Sequence, residues 1–174
     1  MGVTTKAQES RATARKASRQ SDVVRTVVPR TAIKSRKISP QERLLKAILG
    51  GQPSEFQVAE IVEQGLPTSS VDVLRKEGLT FGEVHDLVLP ARTLKHRKEK
   101  KQPLSIEETD RTLRVAKVLA LAEQVFGNQD KAFGWLRRRN KRLNDRTPFE
   151  MLRSEVGGDL VRGMLYQIDE GIYV

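Results

Sequence analysis

The sequence predicts an all-α protein, with a basic leader followed by two small helical units. Hydrophobic residues make up 37% of its 174 residues, and aromatic residues only 5%. The apolar residues recur at helical spacing, and few segments alternate polar and apolar residues as strands do. At several points Ser or Thr stands three residues before Glu, the capping-box spacing that begins helices. Helices account for these patterns without any sheet.

The first 38 residues are the predicted leader, which is basic and flexible. Ten Lys and Arg residues but only two acidic residues precede residue 40, so the leader holds most of the net charge of +10. No periodicity appears before the run VVRTVV from Val23, which fits a short strand or an extended segment. A basic arm attracts polyanions such as DNA. A solubilising leader that binds nothing is the alternative, and the sequence favours neither.

The first helical unit covers residues 39–104 and is predicted to contain five helices. Ser39, Pro40 and Glu42 supply an N-cap, a first-turn proline and a capping carboxylate for the first helix. Ser54 opens the second helix, and Ser69 begins a short third one. The apolar residues of the second helix are Phe56, Val58, Ala59, Ile61 and Val62. The glycines that end these three helices are Gly50, Gly65 and Gly78.

The segment from Leu79 to Ser105 has the layout of a helix-turn-helix. Thr80 and Glu83 have the spacing of a capping box, and Pro90 stands where the first helix must stop and the next begin. The second of these two helices is strongly basic. A helix of this kind is the recognition element of many DNA-binding proteins.

On a helical wheel of the basic helix, Leu94 marks the inward side. Arg92 and His96 then point to the opposite side, with Thr93 and Lys95 on the flanks. A row of such side chains can reach base edges while its neighbours hold phosphates. A solvated basic helix is the alternative that spacing alone leaves open.

The second helical unit covers residues 105–174. Its first helix begins at the capping box of Ser105 and Glu108. The run VLALA at residues 118–122 is apolar on nearly every side, which predicts a central, buried helix. A helix with the expected core residue Trp135 follows, and Thr147 begins another after an arginine-rich segment.

The chain ends on an apolar tail, where polar residues are the rule. Its residues are Gly171, Ile172, Tyr173 and Val174. The last helix is predicted over about residues 158–170, after a glycine junction at Gly157 and Gly158. Either Ile172 and Tyr173 fold back on this helix as a cap, or the tail inserts into a partner's pocket that is apolar and partly basic.

The sequence offers little support for catalytic or metal chemistry. It has no cysteine and two histidines, which excludes thiolate sites and disfavours a histidine metal site. The acids Glu107, Glu108 and Asp110 lie in a first helical turn, where they meet the helix dipole. Arg111 and Arg114 are expected to pair with Glu107 and Asp110 one turn away. We therefore expect a protein that is not an enzyme and needs no cofactor or metal.

The first thirty residues contain no apolar segment long enough for a signal peptide or a membrane span. A cytoplasmic protein without a membrane partner is therefore expected.

Three long segments resemble antitoxins of the Xre/ParS/MbcA family, whose partner is usually a RES-domain toxin. They are GLPTSSVDVLRKEGLTFGEVHDLVLPARTLKHRKEKKQPLS from residue 65, LSIEETDRTLRVAKVLALAEQVFGNQDKAFGWL from residue 104, and RTPFEMLRSEVGGDLVRGMLYQIDEGIYV from residue 146. Two features depart from the family: the basic leader is longer than expected, and residues 98–101 make the link after the basic helix more charged.

The resemblance implies an Xre-like helix-turn-helix domain for operator DNA at residues 39–104 and a helical toxin-binding domain at residues 105–174. It implies a homodimer that neutralises an NAD-degrading RES toxin, represses its own operon and itself needs no NAD. The implied DNA contacts are Arg92, Thr93, Lys95, His96 and Arg97. Of these, Arg97 lies nearer the core side and is expected at a phosphate. The implied contacts with the toxin's active-site cleft are Gly171, Ile172, Tyr173 and Val174.

Two other functions fit parts of the sequence. A stand-alone helix-turn-helix transcriptional regulator would use the basic helix and the leader, but it leaves the second unit without a role. An RNA-binding module would use Arg137, Arg138 and Arg139. Recognition of single-stranded RNA usually needs exposed aromatic residues, and the chain has one Trp, two Tyr and five Phe.

Overall fold

The structure is a computed structural model that describes residues 38–172. The leader up to residue 37, including VVRTVV, and the tail residues Tyr173 and Val174 lie outside the described residues. Within residues 38–172 the chain forms nine α-helices, a short 3-10 helix and no strand. One isolated antiparallel bridge joins Asn140 to Arg146. The all-α prediction is confirmed.

The helices follow the predicted order. The first unit holds α1 Pro40–Leu49, α2 Glu55–Gln64, α3 Ser69–Lys76, α4 Phe81–Leu87 and α5 Ala91–Lys100. The second unit holds α6 Ile106–Phe126, α7 Gln129–Leu136, the 3-10 helix Lys141–Leu143, α8 Pro148–Met151 and α9 Glu155–Asp169.

Capping boxes begin five of the described helices. In each, the N-cap side chain accepts a hydrogen bond from the backbone N–H three residues on, and that residue's side chain accepts one from the N-cap N–H. The N-cap residues are Ser39, Ser54, Thr80, Ser105 and Thr147. The helix starts predicted at these residues are confirmed. Local sequence predicts them well because a capping box involves only residues within one helical turn.

The central helix is α6, as its apolar run predicts. All residues from 118 to 122 are buried, and α6 packs mainly against α1, α7 and α9. One hydrophobic cluster includes both Leu44 on α1 and Leu165 on α9. The sequence predicts a domain boundary between residues 104 and 105, where Ser105 is the N-cap of α6. The helices before and after this position share one hydrophobic core.

α2 is more exposed than its apolar residues suggest. None of its residues is fully buried, and the Phe56 side chain is 74% exposed. Its main contact is with α6, and its residues Val58, Ile61 and Val62 are partly buried against the hydrophobic core.

The last helix begins earlier than predicted. Ser154 caps α9 by accepting a hydrogen bond from the Gly157 N–H at 3.1 Å, so Gly157 and Gly158 lie in the first turn and not at a junction. A Cβ at Gly157 would clash with the Met151 carbonyl, and one at Gly158 would press on the Arg114 side chain. These two residues are glycines because α9 packs closely against its neighbours there.

The early start of α9 also decides the partner of Arg114. Its Nε lies 2.6 Å from Glu155 Oε2 on α9, so the predicted pair with Asp110 is wrong. The predicted pair within one turn of α6 does occur for Arg111, which lies 3.9 Å from Glu107. Arg114 is half-way along α6 and faces α9, and a tertiary partner replaces the local one.

Candidate functional site

The turn of the helix-turn-helix is part of the core. Between α4 and α5, Val88 and Leu89 are each only 1% exposed, and Pro90 forms the N-cap of α5 in an extended conformation. His85 Nδ1 on α4 lies 3.0 Å from the Leu89 carbonyl oxygen, which ties the turn back to the first helix. With Leu94 also buried, α5 is held against the core along one side.

The opposite side of α5 is the exposed basic surface predicted from the wheel. Arg92, Lys95 and His96 are exposed, and Thr93 is half-buried. Lys95 Nζ lies 3.9 Å from Glu99, a weak pair one turn away. Among residues 38–172, no side chain forms an ion pair or hydrogen bond with the Arg92 guanidinium or the His96 ring. These side chains are free for an external ligand.

Arg97 differs from the other predicted contacts. Its Nε lies 2.7 Å from Glu108 Oε2 on α6, and its Nη1 donates to the Pro103 carbonyl oxygen at 2.9 Å. Only 22% of the side chain is exposed. Arg97 therefore fastens the end of α5 to the start of α6, much as Lys98 fastens α5 to Asp72 of α3 at 2.8 Å.

A groove with an apolar lining runs beside the basic face of α5. It encloses about 570 Å³ and is bordered by Arg92 and Lys95 on one side and by Phe81 and His85 on the other. Phe81 is 56% exposed, its ring meets His85 edge-on at 4.0 Å, and Arg75 lies 5.5 Å above it. This aromatic contribution was not predicted, although the sequence places an aromatic residue directly after the Thr80 cap.

A second interaction that local sequence patterns do not predict joins the two helical units. Arg137, just after α7, binds both carboxylate oxygens of Glu83 on α4 at 2.6 and 2.9 Å, and donates to the Gly78 carbonyl at 3.0 Å. Its guanidinium also stacks over the Phe133 ring at 4.6 Å. Burial alone would raise the pKa of Glu83, but hydrogen bonds from Arg137 and Thr80 and the charge of Arg137 bring it below its ordinary value of 4.5.

The described part of the tail is held to the end of α9 by two backbone hydrogen bonds. Gly171 has a left-handed backbone with φ +70°, its N–H donates to the Ile168 carbonyl at 3.1 Å, and the Ile172 N–H donates to the Gln167 carbonyl at 2.9 Å. This is a Schellman motif, which accounts for Gly171. Ile172 is 52% exposed and borders a cleft of about 310 Å³ that the partly buried Trp135 also lines.

Neither a metal cluster nor a membrane span occurs in the described part of the chain. No three His, Asp or Glu side chains between residues 38 and 172 are grouped closely enough to hold a metal ion. None of the helices there combines the length and hydropathy needed to cross a bilayer.

Comparison with known proteins places this arrangement in a family. An Xre antitoxin from Pseudomonas putida is 37% identical over 118 residues, which cover 68% of this chain and 74% of that protein. The chain belongs to the Xre antitoxin family. A second Xre antitoxin, from Photorhabdus laumondii, is 31% identical over 116 residues, which cover 64% of this chain and 78% of the relative.

Two consecutive parts of the chain match separate domains of this antitoxin family. The antitoxin Xre-like helix-turn-helix domain matches residues 57–117, and the antitoxin Xre/MbcA/ParS C-terminal toxin-binding domain matches residues 121–171. The interval between the two matches falls within α6. A chain in the crystal structure of the MbcT–MbcA toxin–antitoxin complex of M. tuberculosis is 26% identical, with a TM-score of 0.47, and the alignment covers 62% of this chain and 96% of that one.

Proposed function

We propose that this antitoxin neutralises a RES-type, NAD-degrading toxin and represses its own operon by binding operator DNA as a homodimer. The main support for DNA binding is the exposed basic side of α5. Arg92 and His96 have no partner among the described residues there, in a chain whose other half matches a toxin-binding domain. Basic side chains left unpaired on a recognition helix are available for DNA.

Within this proposal, the residues of α5 have different roles. Arg92 and His96 face away from the core and contact base edges, while Lys95 and Thr93 flank them and contact the backbone. Arg97 is assigned a positioning role, because its guanidinium already binds Glu108 and the Pro103 carbonyl. Its loss would change the angle between α5 and α6, and with it the fit of the whole face to the major groove.

The DNA assignment is tested with Arg92→Ala combined with His96→Ala. Each lost base contact costs about 1–3 kcal/mol, so the double variant should no longer shift the antitoxin's own promoter DNA at physiological salt. Toxin neutralisation should persist, since both residues lie outside the toxin-binding match. Lys131→Ala with Arg138→Ala, which removes positive charge from exposed sites on and after α7, is the control. An unchanged shift by the α5 variant would refute the assignment.

The toxin assignment concerns the chain end. Ile172 is half-exposed at the end of a Schellman motif and borders the cleft that Trp135 also lines. We assign Gly171, Ile172, Tyr173 and Val174 to the toxin's active-site cleft, where they form an apolar plug that excludes NAD from a basic pocket. Deletion of residues 172–174 should abolish growth protection in co-expression with the toxin while leaving DNA binding intact. Full protection by the truncated antitoxin would contradict the plug.

The identity of the toxin is tested with the neighbouring reading frame. Co-expression and purification should yield a stable complex, and expression of the neighbour alone should deplete cellular NAD. Light scattering on the antitoxin alone should give twice the chain mass of 19.6 kDa if the homodimer is correct. Failure to find any partner protein would favour the stand-alone regulator.

A further inference from the structure

The outward side of α9 is apolar where a helix of a free protein is usually polar. Val156 is 80% exposed, Leu160 48% and Tyr166 55%. Val156, Leu160 and the exposed Gly163 follow one another at spacings of four and three residues, and Tyr166 lies three residues after Gly163, so all four lie on the outward side of the helix. A single exposed apolar residue is common, whereas three on one side of one helix are typical of a contact surface. We call Val156, Leu160, Gly163 and Tyr166 the α9 face.

Acidic residues lie on and beside this face, although the chain as a whole carries +10. At the start of the helix Glu155 and Asp159 are paired with Arg162. At its end Asp169 and Glu170 are exposed and have no ion-pair partner among residues 38–172. Two unpaired acids at a helix C-terminus oppose the helix dipole, so they do not stabilise the helix in the free protein.

Gly163 has no role within the described fold. It lies in the middle of α9, and a Cβ added there would meet no atom within 4 Å. A glycine in a helix interior costs about 1 kcal/mol relative to alanine. Gly157 and Gly158 on the same helix are required by close packing, but Gly163 faces open space. A partner whose backbone approaches closely would account for it.

We propose that the α9 face is the main docking surface for the toxin, in addition to the contact assigned to the tail. The partner's backbone approaches at Gly163, its apolar side chains pack between Val156, Leu160 and Tyr166, and a basic group faces Asp169 and Glu170. α9 lies within the match to the toxin-binding domain, and Val156, Leu160 and Tyr166 are the exposed apolar side chains of this helix. This inference rests on the proposed function, because it takes the toxin as the occupant.

The sharpest test is Gly163→Ala, because folding and binding should respond with opposite signs. The variant should raise the melting temperature of the free antitoxin by about 2–4 °C, since alanine favours the helix. It should weaken binding of the toxin encoded by the adjacent gene by about tenfold or more, measured by calorimetry on the full-length proteins. The matched control is Gly134→Ala on α7, an exposed helical glycine with equally open surroundings. It should give the same rise in melting temperature with unchanged affinity.

A charge variant tests the same face independently. Asp169→Asn with Glu170→Gln should weaken toxin binding about tenfold and reduce its salt dependence without lowering the melting temperature. The control is Glu60→Gln with Glu63→Gln, exposed acids of α2. Unchanged toxin affinity in both α9 variants would overturn the inference. It would also be overturned if the variants lost the homodimer but kept their affinity for the toxin. If the wild-type antitoxin does not bind the toxin at all, the proposed function fails first.

Discussion

Arg137 shows how a single side chain joins the two halves of this antitoxin. Its planar guanidinium donates to both oxygens of Glu83 and to the Gly78 carbonyl, and it covers the Phe133 ring. Glu83 meanwhile completes the capping box of α4 through the Thr80 N–H at 2.8 Å. The first helix of the helix-turn-helix is thus tied to the helix that precedes the arginine-rich segment of the second unit.

Arg137→Ala should lower the free energy of unfolding by about 1 kcal/mol, because the side chain is 41% exposed and solvent screens its ion pair. The neighbouring Arg138→Ala should change it far less, since no described residue binds that side chain. Urea denaturation of both variants measures the difference. Equal effects would mean that the geometry around Arg137 adds nothing to stability.

Glu83 should make stability depend on pH in the acid range. Its pKa is lower in the folded protein than the ordinary value of 4.5, so its contribution is fully present above that value and is lost as the pH falls through the folded pKa. Glu83→Gln should therefore destabilise the antitoxin most at neutral pH, and the deficit should shrink below about pH 4.5. Chemical denaturation at several pH values tests this, with the exposed Glu63→Gln as control. A deficit independent of pH would argue against the ion pair.

Among the helices, α5 and α6 are connected by one carboxylate that forms hydrogen bonds or ion pairs with residues of both segments. Glu108 accepts from the Ser105 N–H at 2.8 Å to cap α6, and it also binds Arg97 of α5. Beside it, the Leu104 N–H donates to the Leu66 carbonyl at 2.8 Å. The direction of the basic helix relative to the central helix thus depends on how α6 begins.

Ser105→Ala should destabilise the antitoxin by about 1 kcal/mol, the usual cost of losing an N-cap. Thr68→Ala is the matched control, because Thr68 is the N-cap of α3 but its side chain makes no capping hydrogen bond. The two midpoints of urea unfolding should differ clearly. If they coincide, the cap of α6 contributes nothing to stability.

At the scale of the whole molecule, the two family domains share one core. α6 contributes buried residues that pack against α1 on one side and against α7 and α9 on the other. Neither half can unfold without exposing the apolar surface of the central helix, which ties the stability of the helix-turn-helix half to that of the half that matches the toxin-binding domain.

We therefore expect one cooperative unfolding transition. Far-UV circular dichroism reports all helices, while fluorescence reports the single tryptophan, Trp135, in the second half. The two curves should coincide in urea. A fluorescence transition that clearly precedes or follows the dichroism transition would show that the halves unfold separately.

The distribution of charge predicts a separate role for the leader. Residues 38–174 carry 22 basic and 20 acidic residues, so a protein lacking residues 1–37 is nearly neutral. This truncation should weaken binding to non-specific DNA and flatten the dependence of log K on log salt. A full-length control with the leader's Lys and Arg replaced by Gln should behave alike if charge is the cause. A slope unchanged by truncation would show that the leader stays off DNA.

Residue spacing along the chain predicted the order of the helices, five of their caps, the buried α6 and the exposed side of α5. These features depend on residues within one or two helical turns, so spacing alone predicts them. Tertiary structure decided which charges are paired: Arg97 with Glu108 across 11 residues, Arg114 with Glu155 across 41, and Arg137 with Glu83 across 54. No local pattern encodes such pairs, because they form only when packing brings distant helices together. The exposure of the α9 face was decided in the same way, since its apolar residues have helical spacing whether or not a neighbour covers them.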